Sequence, residues 1–204
     1  MKEGFTKKET AVFKKLNTTE KVQAFLDKIP FNFEKEGYDT IKSPLRVIRE
    51  NNAHCIEGAI LGSYILSLHK YKSYLLHLQT TKQDFDHVIV VFKDDGYWGA
   101  LSKTNHSVLR YRDSIYKTVR ELVMSYFHEY FLDNGKKTLR RYSDLLDLKI
   151  FEKGWEIQDF DLWAIDDELD KIKHYDILLK SQIKKLSKAS KIERQAGKII
   201  QWKK

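Results

Sequence analysis

The sequence predicts an α+β domain, on three observations: a lead-in with apolar residues at helical spacing, a buried helix that begins at the single cysteine, Cys55, and a strand–turn–strand segment over residues 87–101. In the lead-in, Thr18-Thr19-Glu20 caps a helix through residue 28 whose apolar stripe is Val22, Phe25, Leu26 and Ile29, and Pro30 ends it. Ser43-Pro44 is an N-cap and first-turn pair for a short helix over residues 45–49, which delivers the chain to Asn51-Asn52-Ala53-His54-Cys55. From residue 55 to about 68, Ile56, Ala59, Ile60, Ser63 and Tyr64 with Gly58 and Gly62 describe a mostly buried helix in close contact with its neighbours. Residues 74–78 and 87–92 read as strands. The second is apolar without alternation, as a central strand covered on both faces requires. Asp94-Asp95-Gly96 supplies a hairpin turn into a strand over 97–101. Residues 114–131 are then expected as one long helix with Ile115, Val119, Leu122, Val123, Tyr126, Phe127 and Tyr130 on its apolar face. Residues 145–150, Trp155 and Trp163 are expected as an irregular segment laid across the core, and from Ile165 a charged helical extension is expected to merge into the tail.

At 204 residues, with 42% hydrophobic and 13% aromatic residues, the chain fits one packed domain plus an appendage. No stretch approaches the roughly 20 uninterrupted apolar residues of a membrane span, and the Lys- and Glu-rich start has no apolar signal core, so a cytoplasmic location is expected. The formal charge of +8 is carried entirely by residues 180–204, where nine Lys/Arg meet one acid, Glu193. The expected organisation is a domain over 1–178, with lead-in 1–50, catalytic core 51–150 and closing segment 151–178, followed by a basic tail over 179–204. Ile183, Leu186, Ile192, Ile199, Ile200 and Trp202 set that tail up as a basic amphipathic helix for an acidic partner or an anionic surface. Nucleic acid is disfavoured, since the rest of the chain is neutral and Trp202 is the one aromatic among the basic residues.

A thiol attacks a carbonyl as the thiolate, which a helix N-terminus and a nearby imidazole both favour. Cys55 stands at such a helix start, and His87, opening a buried strand, is the best placed base. His54 is expected to point elsewhere. His128-Glu129 has Leu at position 132, which breaks the metalloprotease spacing, and no other cluster has metal-ligand spacing, so no metal is expected. No nucleotide, flavin or pyridoxal fingerprint is present, so no cofactor is expected.

The segment Asn52-Ala53-His54-Cys55-Ile56-Glu57-Gly58-Ala59 resembles the nucleophile-helix start of the transglutaminase-like, papain-related superfamily, and its Cys-x-Glu is similar to that of peptide N-glycanases and arylamine N-acetyltransferases. Asp86-His87-Val88-Ile89-Val90-Val91-Phe92 with Gly96-Tyr97-Trp98 resembles the His-strand-turn-Trp segment of the same superfamily. Residues 98–106, 111–113 and 125–131 are similar to those of a bacterial group within it. The resemblance implies a papain/transglutaminase-like core, a Cys55–His87 dyad and a thioester intermediate. It also implies an orienting residue about fifteen positions after the His, where Ser102 stands. Asn105 is the next acceptor along, and Asp86, Asp94 and Asp95 are further candidates with poorer direction. Glu57 caps the helix, pairs with an Arg such as Arg49, or lines the substrate pocket; Trp98 and Asn52 are the other candidates for lining it. The expected function is acyl transfer or hydrolysis on an amide or ester, in a peptide or a small molecule. The alternative is a non-catalytic module of the same fold that binds peptide, with the tail as its anchor.

Overall fold

Local sequence sets the helix boundaries. In the computed structural model, which describes residues 4–35 and 38–203, each early helix starts at a hydroxyl side chain that accepts a first-turn N–H. These caps are Thr6 for α1 (Lys7–Lys15), Thr18 for α2 (Thr19–Lys28) and Ser43 for α3 (Pro44–Glu50). Residues 1–3, 36, 37 and 204, parts of the expected lead-in and tail, lie outside the described residues. Asn51, in the left-handed region at φ 51°, ends α3 and turns the chain toward α4 (Cys55–Leu68).

Every position of α4 from 56 to 66 is buried, so the helix needs cover on all sides. It packs against α1, α2 and α3 and against β1 (Lys72–Gln79) and β2 (His87–Asp94). Its glycines permit the close approach. A Cβ at Gly58 would stand 2.3 Å from Lys103 Cβ, just beyond β3 (Tyr97–Leu101). The sheet is antiparallel throughout, in the order β4 (Arg112–Tyr116), β3, β2, β1, β5 (Arg141–Ser143) and β6 (His174–Asp176). Val88, Val90 and Phe92 join the core with α4, whereas Ile89 and Val91 join a second core with α5 (Val119–Tyr126). This two-sided burial is why β2 shows no alternation. Asp95 and Gly96, at φ 45° and 86°, make the tight turn into β3. The result is the α+β architecture expected from the sequence, with α4 laid on an antiparallel sheet.

Three expectations are corrected. Residues 114–131 are not one helix: β4 pairs with β3, leaving Ile115 66% exposed, and Thr118 accepts from Glu121 N–H, so α5 begins at Val119. A 3₁₀ turn, Phe127–Glu129, follows α5. The extension from Ile165 does not run into the tail. It forms α6 (Trp163–Lys171), which buries Ile165 and Leu169, and the chain returns through extended Ile172 to β6. Nor is the tail one amphipathic helix. It forms α7 (Lys180–Ile183) and α8 (Lys191–Gly197), interrupted where Ala189 N–H donates to Gly135 C=O at 2.9 Å, and it leaves Ile192 and Ile199 exposed. The end of the tail lies against the domain, with Ile200 bridged to His106. Among the described residues no helix is long and apolar enough to cross a membrane.

Candidate active site

Cys55 holds the first position of α4, where N–H groups lack intrahelical acceptors and the helix dipole favours an anion. Glu57 fixes that helix start. Its fully buried carboxylate accepts from His54 N–H (2.9 Å), Thr40 Oγ1 (2.7 Å), Asn32 Nδ2 (3.1 Å) and Lys42 N–H (3.2 Å). Of its three sequence readings, the structure brings the cap, and the carboxylate is spent on neighbouring chain segments.

His54, expected to point elsewhere, is coupled electrostatically to Cys55. At the N-cap the backbone is extended, and the His54 imidazole and the Cys55 thiol each favour the charged form of the other. Its Nε2 donates to Thr40 C=O at 2.7 Å and lies 3.2 Å from the Glu34 carboxylate and 3.6 Å from that of Glu57. Burial alone would lower the pKa of this imidazole; Cys55, Glu57 and Thr40 outweigh it, and the pKa is pushed up to about 9. Burial likewise raises the Cys55 thiol, but hydrogen bonds and charges from His54 and His87 reverse the effect and hold it well below the ordinary thiol value.

His87, at the start of β2, pairs in register with Leu78 and places Nε2 2.8 Å from Ser102 Oγ. The proton's direction follows from counting donors. Ser102 has one hydroxyl proton, given to Leu109 C=O at 2.5 Å, so toward His87 its oxygen accepts and Nε2–H donates. That bond spends His87 Nε2 on Ser102, so Nδ1 is the ring nitrogen left to exchange a proton with a neighbour. Gln23 clamps Ser102 from α2, accepting from its N–H and donating to its C=O, both at 2.9 Å. Leu109, at φ 60°, gives its N–H to Glu129 at 2.7 Å, and Glu129 pairs with Arg112 at 2.8 Å. Next along, buried Lys103 donates to the C=O groups of Leu26 and Ile29 at the end of α2, and burial pulls its pKa down to about 8.

The other predicted site residues lie elsewhere. Asn105 is occupied by the tail: its Nδ2 donates to Trp202 C=O at 3.0 Å and its Oδ1 accepts from Trp202 N–H at 2.8 Å. The structure therefore brings Ser102, and not Asn105, to the imidazole. Asp86 accepts from His77 Nε2 at 3.2 Å and from Thr80 N–H at 2.7 Å. Trp98 pairs with Lys93, six positions along β2 from His87, which puts it about 20 Å from that histidine. Asn52 accepts from Lys42 Nζ, which also meets Glu50 at 3.0 Å, so it braces the turn between α3 and α4. Gln23, Leu109 and Glu129 were missed. A glutamine on an apolar helix stripe was the one available signal, and nothing local marks the other two. Among the described residues no group of three or more His, Cys, Asp or Glu side chains could hold a metal ion.

No protein-family model matches the sequence, and no curated protein matches it. Three solved structures of LapG from Legionella pneumophila show a distant structural similarity. One is 16% identical with a TM-score of 0.39, over 46% of this chain and 59% of that one, so this chain spans less than two thirds of its length. The calcium-bound form is 16% identical with a TM-score of 0.40, over 58% and 68% of the two chains. The EGTA-treated form is 13% identical with a TM-score of 0.43, over 80% and 85%.

Proposed function

We propose that this protein is a cysteine-dependent acyl hydrolase, with Cys55 as nucleophile, His87 as base and Ser102 as the residue that orients His87. The observation that supports the reading most is the direction of the His87–Ser102 bond, which leaves a basic nitrogen for a cysteine already favoured as the anion. In the reaction, the Cys55 proton is already held on His87, and the thiolate sulfur bonds to an amide or ester carbonyl carbon as the carbonyl π pair moves onto oxygen. The C–N or C–O bond then breaks, the leaving group takes the proton from His87, and a thioester remains. Water attacks the thioester and gives one proton to His87, the C–S bond breaks, and the acid leaves with Cys55 again the thiolate beside protonated His87. Charged His54 stays protonated throughout and steadies the anion beside it. Water is assigned as acceptor because no residue group marks an amine site. The substrate class is a peptide or a small amide or ester, and the basic tail is assigned to an acidic partner or anionic surface.

The test is acylation by 4-nitrophenyl acetate, followed by peptide mapping for an acetyl group on Cys55. A burst of 4-nitrophenolate with Cys55 acetylated, lost in Cys55→Ala and strongly slowed in His87→Ala, is the expected result. Absence of acylation in the wild type, with folding intact, would contradict hydrolysis and favour a peptide-binding module. Ser102 is the observation behind that second reading, since an uncharged hydroxyl stabilises imidazolium less than a carboxylate does.

A further inference from the structure

Ser102 can hold His87 in two ways, because a hydroxyl turns about its C–O bond. As an acceptor from Nε2–H it suits both the imidazolium and the neutral ring that keeps Nδ1 free. As a donor to Nε2 it suits the neutral ring alone and disfavours the imidazolium. What selects the first way is Leu109, whose C=O takes the Ser102 proton at 2.5 Å. Leu109 stands at φ 60°, a left-handed conformation that a residue other than glycine holds only under constraint. The constraint comes from Glu129, at the end of the 3₁₀ turn after α5: one carboxylate oxygen accepts from Leu109 N–H at 2.7 Å, and the other meets Arg112 Nη2 at 2.8 Å. Arg112 is fixed in turn by α5, its Nε donating to Ser125 Oγ at 2.9 Å and its guanidinium lying 4.1 Å from the centre of the Tyr126 ring. The Tyr126 hydroxyl donates to the C=O of Arg110, the residue after Leu109, at 2.9 Å. The bend at Leu109 is thereby fastened on both sides.

We propose that Glu129 is a positioning residue for the reaction: by holding Leu109 in its left-handed bend it keeps the Ser102 proton turned away from His87, so that Ser102 meets the imidazole only as an acceptor. The proposal rests on the acyl-transfer reading above. The charge of Glu129 is matched by Arg112, so the residue acts through the bend and not through its field. Each time the imidazole gains a proton, Ser102 is already set to receive Nε2–H, and no hydroxyl has to turn during the step. Without Glu129 the bend relaxes toward ordinary backbone, the Ser102 hydroxyl loses its acceptor, and it is free to donate to Nε2 instead.

A double-mutant cycle on the full chain tests this. Glu129→Ala should slow acetylation of Cys55 by 4-nitrophenyl acetate about fivefold, the effect of one hydrogen bond, and move the midpoint of Cys55 alkylation by iodoacetamide to higher pH. In Ser102→Ala, which has no hydroxyl to turn, the same substitution should change neither. In Leu109→Gly, where the glycine takes a positive φ without help, it should slow acetylation by less than about twofold. Leu109→Pro, with φ locked near −65° and no N–H to give, breaks the bend while Glu129 and Arg112 stay in place; it should reproduce the slowing, again only where Ser102 is present. Further slowing of Ser102→Ala by Glu129→Ala would overturn the proposal and make Glu129 an ordinary support of the fold. So would an undiminished loss in Leu109→Gly, or a wild-type rate in Leu109→Pro, either of which would place the action of Glu129 elsewhere than at the bend. A wild type that alkylates at Cys55 but is not acetylated would remove the hydrolase reading alone, and the alkylation midpoints of the same variants would still decide whether Glu129 acts through Ser102.

Discussion

His54 and His87 meet the same sulfur with different duties. His54 has a folded pKa of about 9 against about 6.5 unfolded, so its contribution to stability is complete below pH 6.5 and is lost as pH rises through 9. Cys55 runs the other way: its depressed pKa contributes above the unfolded value of about 8.5, and that contribution is lost as pH falls through the folded value. His54→Gln should therefore move the alkylation midpoint of Cys55 up toward 8.5, and its loss of melting temperature should be greater at pH 7 than at pH 10. An unmoved midpoint would remove His54 from the site. Ser102→Ala deletes a single hydrogen bond to His87 worth about 1 kcal/mol, so acylation should slow by roughly fivefold in a stopped-flow burst assay. Cys55, His87 and Ser102 were legible because a helix start, a strand start and the spacing between His and its orienting residue are all sequence features. His54 was not, because whether a residue faces its own neighbour depends on the extended backbone at the N-cap.

α4 packs on β1 and β2, and its Gly58 lies against Lys103, just beyond the end of β3. Gly58→Ala would place a methyl 2.3 Å from Lys103 Cβ, next to Ser102. Overpacking of this kind costs about 1–3 kcal/mol, and the variant should lose both melting temperature and acylation rate; an unchanged melting temperature would show that the contact is slack. Lys103 adds a pH signature. With a folded pKa of about 8 against about 10.4 unfolded, the unfolded chain binds more protons between those values, so this lysine's unfavourable contribution fades as pH rises from 8 to 10. The stability of wild type relative to Lys103→Met should rise across that window, by at most about 3 kcal/mol. Thermal melts of the pair at each pH would show it, and a flat difference would mean that the ammonium keeps its charge at little cost. The starts of α2 and α3 were legible at this scale, because Thr18 and Ser43 cap their first turns, whereas the Thr118 cap of α5 was not. β4, β5 and β6 were not: Arg112–Tyr116 carries apolar residues that fit either period, and three-residue strands are specified by the neighbour they pair with.

Across the whole molecule the basic tail and the domain are one packed object. The concentration of charge after residue 179 was legible, but its docking was not, because Asn105 and Trp202 pair across 97 residues. Deleting residues 199–204 removes both of these hydrogen bonds together with those that Ile199 and Gln201 make to Ser107, Asn105, Arg110 and Asp27, each worth about 1 kcal/mol, and should lower the melting temperature by roughly 10 °C or more. The alkylation profile of Cys55 should stay in place, because Gln23 holds Ser102 from the other side. A displaced profile would make the tail part of the site. The central claim, that α4 and β2 join Cys55 and His87 into a working pair, is tested most directly by the pH dependence of Cys55 alkylation by iodoacetamide in wild type and in His87→Ala. The account predicts a reactive thiol with a midpoint well below 8.5, shifted upward and slowed when His87 is removed. A native thiol that reacts only after unfolding, or one indifferent to His87, would contradict it.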